Sequence, residues 1–257
     1  MDNKFSVKQS LYSGQCFRFV PTNNNSEWIV YSGIDKNVKS IKLTENFTNY
    51  DNFWNNYFDL DFDYESVRKK LSSVSDVMKK AIEYASGIHI LNQDPWEAIC
   101  SFVISQNNNI KRIKKIIDSL CNIYGEQNSA GIHGFPAPEK LAYLTEDELK
   151  ETGLGFRAPY IINVSMAVLQ NIIDFKFLKN APIQSALNML MSVKGIGPKV
   201  ANCSLLFGFH RLDCFPIDTW IKKVMNTYFP DTKSDIFGEY AGIAQQYLFH
   251  WIRRGEI

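Results

Sequence analysis

The chain of 257 residues has five cysteines, Cys16, Cys100, Cys121, Cys203 and Cys214, and no Cys-x-x-Cys pair among them. An odd, scattered set supplies neither zinc or iron–sulfur spacing nor a disulfide framework, so reduced thiols and no metal site are expected. No apolar run approaches the length that crosses a bilayer, and Met1-Asp2-Asn3-Lys4-Phe5 does not open like a secretory signal, so a cytoplasmic protein is expected. Charge of one sign is missing too. The 28 Lys and Arg nearly cancel the 27 Asp and Glu, leaving a net charge of +1. That excludes a broadly basic surface and confines any anion-binding face to a local patch. Internal repeats and a Pro/Gly-rich linker are also absent.

What remains is a globular composition, 45% hydrophobic and 21% charged, long enough for one large or two ordinary domains. The first sixty or so residues read as strands. Cys16-Phe17-Arg18-Phe19-Val20 and Trp28-Ile29-Val30-Tyr31 flank a Pro-Thr-Asn-Asn-Asn-Ser turn, and residues 38–43 alternate. Helices are expected near residues 51–57 and 64–71, and a boundary near Gly87 divides the chain into 1–88 and 89–257. Beyond it the text is helical. Asp94-Pro95-Trp96-Glu97 combines an N-cap, a proline at the first helical position and an acid in the first turn. Residues 110–124 bury Ile113, Ile116, Ile117 and Leu120 and display Lys111, Arg112, Lys114 and Lys115. Thr145-Glu146-Asp147-Glu148 is a capping box, with Gly153 closing its helix, and residues 235–254 form one amphipathic helix with an aromatic stripe. The class is α+β: a small antiparallel sheet with helices, packed on a mainly helical part.

Residues 191–220 carry the chemistry. Val193-Lys194-Gly195-Ile196-Gly197-Pro198-Lys199 is a tight turn between two helical patterns, a helix-hairpin-helix. Gly195 and Gly197 are free to take backbone angles closed to other residues, and free N–H groups at a helix start suit a phosphate. Lys199 opens the second helix and Asp218 follows further along. Lysine attacks as the neutral amine, which a helix start favours, and a carboxylate stabilises positive charge developing on a sugar. Lysine and carboxylate thus suit Schiff-base chemistry at an anomeric carbon. The competing reading has Lys199 touching a phosphate and Asp218 capping the helix that begins at Thr219.

Gly195-Ile196-Gly197-Pro198-Lys199-Val200-Ala201-Asn202-Cys203 and Phe215-Pro216-Ile217-Asp218 resemble the catalytic core of the helix-hairpin-helix DNA glycosylases, specifically the 8-oxoguanine DNA glycosylase/lyases. The absence of a four-cysteine cluster separates the chain from those glycosylases of the superfamily that carry one. Four more segments resemble the family. Ser13-Gly14-Gln15-Cys16-Phe17-Arg18 is similar to its Ser-Gly-Gln-x-Phe-Arg segment, where the glycine carbonyl accepts the N7–H that only the oxidised base has. Asn107-Asn108-Asn109-Ile110 resembles its minor-groove loop, which implies that Asn107 fills the gap left by the extruded nucleotide and that Arg112 reads the estranged cytosine. Leu154-Gly155-Phe156-Arg157-Ala158 resembles a loop in which an aromatic wedge, here Phe156, props the stack open and an arginine, here Arg157, contacts the estranged base. Tyr240-Ala241-Gly242-Ile243-Ala244-Gln245 and Leu248-Phe249 resemble the helix lining the lesion pocket. The resemblance gives Gln245 the Watson–Crick edge of the flipped base, and Phe249 and Cys203 its two faces. One departure is Trp220, where the family commonly has a histidine near a phosphate.

The resemblance implies an enzyme that acts on double-stranded DNA containing 8-oxoguanine opposite cytosine, nucleoid-associated through its DNA binding. No cofactor is expected, because lysine supplies the electron sink, and a monomer is expected, because one active site needs no partner chain. Lys199 and Asp218 are its catalytic pair, and Gly195 and Gly197 contact phosphate. A glycosylase for another lesion and a non-catalytic DNA-gripping hairpin are the alternatives; the segments around Gly14 and Gln245 disfavour the first, and Lys199 paired with Asp218 the second.

Overall fold

A computed structural model describes residues 5–232 and 234–253. The chain opens with a helix absent from the sequence-based reading, α1 (Val7–Tyr12), capped by Ser6, whose hydroxyl accepts from the Gln9 N–H. Three strands follow, β1 (Phe19–Thr22), β2 (Glu27–Ser32) and β3 (Lys39–Thr44), paired antiparallel in the order β1-β2-β3. The β1–β2 register sets Phe19 opposite Val30, and β2–β3 sets Trp28 opposite Leu43. These residues are buried and line one face, as period-two alternation requires. The turn between β1 and β2 is made by Asn23, Asn24 and Asn25, all at positive φ, which asparagine tolerates better than most residues.

Helix α2 (Asn52–Tyr57) packs Trp54 and Tyr57 under the sheet, and with α1 completes an aromatic-rich cluster. Next come α3 (Tyr64–Ser72), capped by Asp63, and α4 (Asp76–Ala85), capped by Ser75; α4 was likewise absent from the sequence-based reading. The buried faces of α3 and α4 belong to the helical core, and α4 lies against the last helix of the fold. Helices α3 and α4, although they precede Gly87, thus pack with the helical core, as does Phe17 from the sheet region. Leu91 then packs with the sheet cluster and Ile90 with the helical one.

Helix α5 (Pro95–Ile104) starts on the expected Asp94 cap, whose Oδ1 accepts from the Trp96 and Glu97 N–H groups, and is buried all round. Helix α6 (Ile110–Tyr124) buries the expected isoleucine stripe. Four short or middle-length helices follow: α7 (Pro138–Ala142), α8 (Glu146–Lys150) with its reciprocal Thr145–Glu148 capping box, α9 (Ala158–Leu169) and α10 (Phe175–Asn180). The hairpin is α11 (Ile183–Met191) and α12 (Pro198–Phe209), and α12 packs closely on α5.

Helix α13 (Thr219–Tyr228) and α14 (Ala241–Ile252) complete the fold. The single helix expected over residues 235–254 is broken: Ser234–Tyr240 forms 3-10 turns kinked at Gly238, whose φ is +58°, before α14 begins. Arg254, its expected last residue, lies outside the described residues. All five cysteines are free and buried, and among the described residues no helix is long and apolar enough to cross a membrane.

Candidate active site

The hairpin turn places its two glycines in different conformations. Gly195 has φ +111°, and a Cβ there would fall 2.5 Å from Tyr160 Cβ, so both backbone and packing demand glycine. Gly197 does not use the freedom expected of it. It is extended (φ −93°, ψ 178°) as the N-cap of α12, with open space where a Cβ would sit. Its smallness keeps the helix start accessible, which is what an approaching phosphate needs.

Lys199 follows in the first turn of α12, half-buried, and its Nζ donates to Ser105 Oγ at 3.2 Å at the end of α5. Ser105 in turn donates to the Phe102 carbonyl, and Lys199 Nζ lies 5.4 Å from the Phe102 ring centroid. Asp218 is the N-cap of α13, its Oδ1 accepting from the Ile221 N–H at 2.8 Å. The capping role is therefore real, and it does not compete with the other: the cap aims Asp218 into the same cavity that Lys199 enters. The two do not form an ion pair with each other.

That cavity, of about 40 Å³, is walled by Ser13, Gly14, Phe102, Lys199, Cys203, Phe207, Pro216, Asp218, Gln245, Gln246 and Phe249. All four residues expected to line a base pocket are in it. Gly14 has φ +79°, and a Cβ there would meet Phe249 Cε1 at 3.3 Å. Phe249 packs over Gly14, and the cavity has room for a few waters rather than a purine. Burial pushes the Cys203 thiol up to about 11 against the pull of Lys199, so it presents neutral sulfur, polarisable enough to stack on a ring.

The segment holding Gly14 is fixed by a residue to which no role was given. Gln15 is fully buried; its Nε2 donates to the carbonyls of Ser10 and His89 and to Ser13 Oγ, and its Oε1 accepts from the Leu91 N–H. Gln93 closes the brace by donating to the Gln15 carbonyl at 2.6 Å. Nearby, Arg18 forms a buried ion pair with Glu97 at 3.1 Å and donates to the Gly33 and His133 carbonyls, tying the sheet to α5. Ser105 and Gln246 are two further site residues outside the sequence-based assignments. Gln246 offers the signal of a polar side chain buried in a strong core pattern, whereas Ser105, half-buried at the end of α5, offers none.

The cavity opens at Lys199 and Asp218 onto a groove of about 1100 Å³ lined by Gln106, Asn107, Arg112, Phe156, Gly197 and Lys222 among others. Of the asparagine triplet, Asn108 donates back to the Ile104 carbonyl and Asn109 caps α6. Asn107, exposed at φ +53°, keeps its side chain free of hydrogen bonds among the described residues. Phe156 is 54% exposed and is not a buried plug.

Arg157 departs from its expected place. It is 1% exposed, and its guanidinium donates to the carbonyls of Gln106, Asn107 and Leu154 while stacking on the Phe156 ring at 4.2 Å. A buried guanidinium without a carboxylate needs carbonyl acceptors, and the asparagine loop supplies them. Arg157 here braces that loop instead of facing the groove, whereas Arg112 is exposed, with a long contact to the Gly153 carbonyl. Trp220, in the first turn of α13, is half-buried.

Residues 100–236 match the family described as HhH-GPD superfamily base excision DNA repair protein, and residues 1–99 match the one described as 8-oxoguanine DNA glycosylase, N-terminal domain. The chain belongs to the helix-hairpin-helix base excision DNA repair superfamily, within its 8-oxoguanine DNA glycosylase family. Among solved structures, the Clostridium acetobutylicum 8-oxoguanine glycosylase/lyase, bound to double-stranded DNA with cytosine opposite 8-oxoguanine, is 34% identical. It superposes with a TM-score of 0.85 over 99% of this chain and 93% of that one. The Saccharomyces cerevisiae N-glycosylase/DNA lyase is 38% identical over 153 residues; the match spans 54% of this chain and 41% of the yeast protein. The Archaeoglobus fulgidus 3-methyladenine DNA glycosylase, 18% identical with a TM-score of 0.74 over 99% of this chain and 96% of that one, shares the fold.

Proposed function

We propose that this protein excises 8-oxoguanine, preferentially opposite cytosine, from duplex DNA and then cleaves the strand through a lysine Schiff base. One observation carries this reading. Lys199 and Asp218 stand at the junction of a narrow cavity walled by Gly14, Cys203, Gln245 and Phe249 and an open groove edged by Asn107, Arg112 and Phe156. A nucleophile there meets the anomeric carbon of a nucleotide whose base is in the cavity and whose backbone is in the groove. Neutral Lys199 Nζ attacks C1′ as the C1′–N9 bond breaks, and the departing base gains a proton. Asp218 stabilises the positive charge developing on the sugar. Ring opening gives a protonated Schiff base, which acidifies C2′–H. Loss of that proton expels the 3′ phosphate by β-elimination, and water then releases the sugar remnant and regenerates the amine. Lysine supplies the electron sink, and the protein acts as a monomer without cofactor.

Groove residues take the remaining roles. Asn107 fills the gap left by the flipped nucleotide, Phe156 wedges the stack, and Arg112 reads the estranged cytosine, with Arg157 holding the loop that presents Asn107. The Gly197 end of the hairpin contacts a backbone phosphate.

The test is borohydride trapping on a duplex with one 8-oxoguanine opposite cytosine, beside undamaged duplex and the Lys199→Gln variant. A covalent adduct confined to wild-type protein on the lesion duplex is expected, with Lys199→Gln binding DNA but neither trapping nor releasing base. Trapping retained in the variant would refute the nucleophile assignment.

A further inference from the structure

We propose that Gln246 is a specificity residue: it sets which end of the Gln245 amide faces which part of the flipped base, and with Gln245 it reads the whole Watson–Crick edge. This rests on the lesion pocket assigned under the proposed function. Both side chains are buried on α14, at 4% and 3% exposure, and both wall the cavity. Gln246 Nε2 donates to Gln245 Oε1 at 2.8 Å.

The two ends of a primary amide have nearly the same shape and opposite hydrogen-bonding character, so partners rather than sterics decide which way it faces. The Gln246 bond holds Gln245 Oε1 on the Gln246 side and turns its Nε2, a donor, to the far side. Along its edge a guanine-type base presents the O6 acceptor, the N1–H donor and the N2 amino donor in order. The ordered pair of glutamines matches that order. Gln245 Nε2 donates to O6, and the second lone pair of Gln245 Oε1 accepts N1–H. Gln246 Oε1, buried without a hydrogen-bond partner among the described residues, accepts the amino group. An adenine-type edge has its amino donor at position 6 and an acceptor at N1, so it requires the Gln245 amide reversed. Gln246 is thus the device that refuses it.

Two near-isosteric substitutions separate this from a packing role. Gln246→Leu removes the orienting donor; Gln246→Glu, assayed at a pH where its carboxyl is ionised, keeps the shape but offers acceptors alone, so Gln245 Nε2 turns toward it and its Oε1 toward position 6. The readout is the ratio of single-turnover excision rates for 8-oxoguanine and 8-oxoadenine, each opposite cytosine, with melting temperature and affinity for undamaged duplex as folding controls. Gln246→Leu is expected to lower the ratio about fivefold and Gln246→Glu at least about tenfold, with 8-oxoadenine excision rising in absolute terms. An unchanged ratio in both variants, with both rates falling together, would overturn the proposal. Affinities for the free bases 8-oxoguanine and 8-oxoadenine give the same ratio without catalysis. A wild-type protein that excises neither base would count against the proposed function, whereas an equal change in the two free-base affinities would count against Gln246 alone.

Discussion

At the scale of single residues, the site depends on close approaches that leave no room for added atoms. Gly14 shows this most sharply. Its φ of +79° is strained for any L side chain, and the contact its Cβ would make is with the ring that closes the pocket. Gly14→Ala is therefore expected to lose about 1 kcal/mol of stability in thermal or urea unfolding. Excision of 8-oxoguanine should slow by about tenfold or more, because Phe249 is displaced from its stacking position. Affinity for undamaged duplex should be unchanged; an equal loss there would move Gly14 out of the pocket and into general DNA binding. Gly14, Lys199 and Asn107 are assigned through the family resemblance of the segments that hold them, since an isolated glycine, lysine or asparagine marks no site by itself; the structure groups them about one cavity and its groove. Gln15, Ser105 and Gln246 receive no role that way. Gln15 and Gln246 act through buried polar atoms and half-buried Ser105 through a hydroxyl at a helix end, and whether a glutamine faces solvent or braces a carbonyl is settled only by the packing around it.

At the scale of elements, helix starts were read well where a side chain caps them, as with Asp94 before α5, the Thr145–Glu148 pair of α8 and Asp218 before α13. Ser6 and Ser75 cap α1 and α4 in the same way, but a serine hydroxyl marks a helix start only weakly in sequence because serine is common in loops. The break at Gly238 leaves no mark in the aromatic stripe, which begins only at Tyr240, after it. The loop of residues 153–157 yields the clearest contrast between an outward and an inward side chain. Arg157→Ala leaves the Gln106, Asn107 and Leu154 carbonyls without their donor, so a destabilisation of about 3 kcal/mol is expected, with disorder of the asparagine loop. Phe156→Ala removes a half-exposed ring with its contact to the Arg157 guanidinium and should cost no more than about 1 kcal/mol. Affinity for lesion duplex should nevertheless fall about tenfold. Equal melting temperatures for the two variants would show that Arg157 faces the groove in solution.

At the scale of the whole molecule, the α+β class followed from the change of period along the chain, but the partition of the core did not. The two hydrophobic clusters interleave, with α3 and α4 joining the catalytic helices and residues 89–93 threading between both. His89 stands at that seam. Its ring stacks on Tyr64 at 3.9 Å and lies 4.9 Å from Phe5, its Nδ1 bonds the Phe58 carbonyl, and its Nε2 is buried without a partner among the described residues. The Phe58 bond makes Nδ1 the protonated nitrogen of the neutral ring, so acquiring charge means placing a second proton on a desolvated atom. Burial accordingly lowers its pKa from 6.5 to about 4. Between those values the unfolded chain binds a proton that the folded chain refuses, so stability present above pH 6.5 is lost as pH falls toward 4. The shift is equivalent to about 3 kcal/mol at full effect. Urea unfolding of wild type and His89→Phe across pH 4 to 7 isolates this contribution, because carboxylate titrations are common to both and cancel in the difference. His89→Phe should gain on wild type steadily as pH falls through the window, whatever its offset at neutral pH. A difference that stays constant with pH would show that the histidine at the seam takes up its proton as readily in the folded protein as in the unfolded chain.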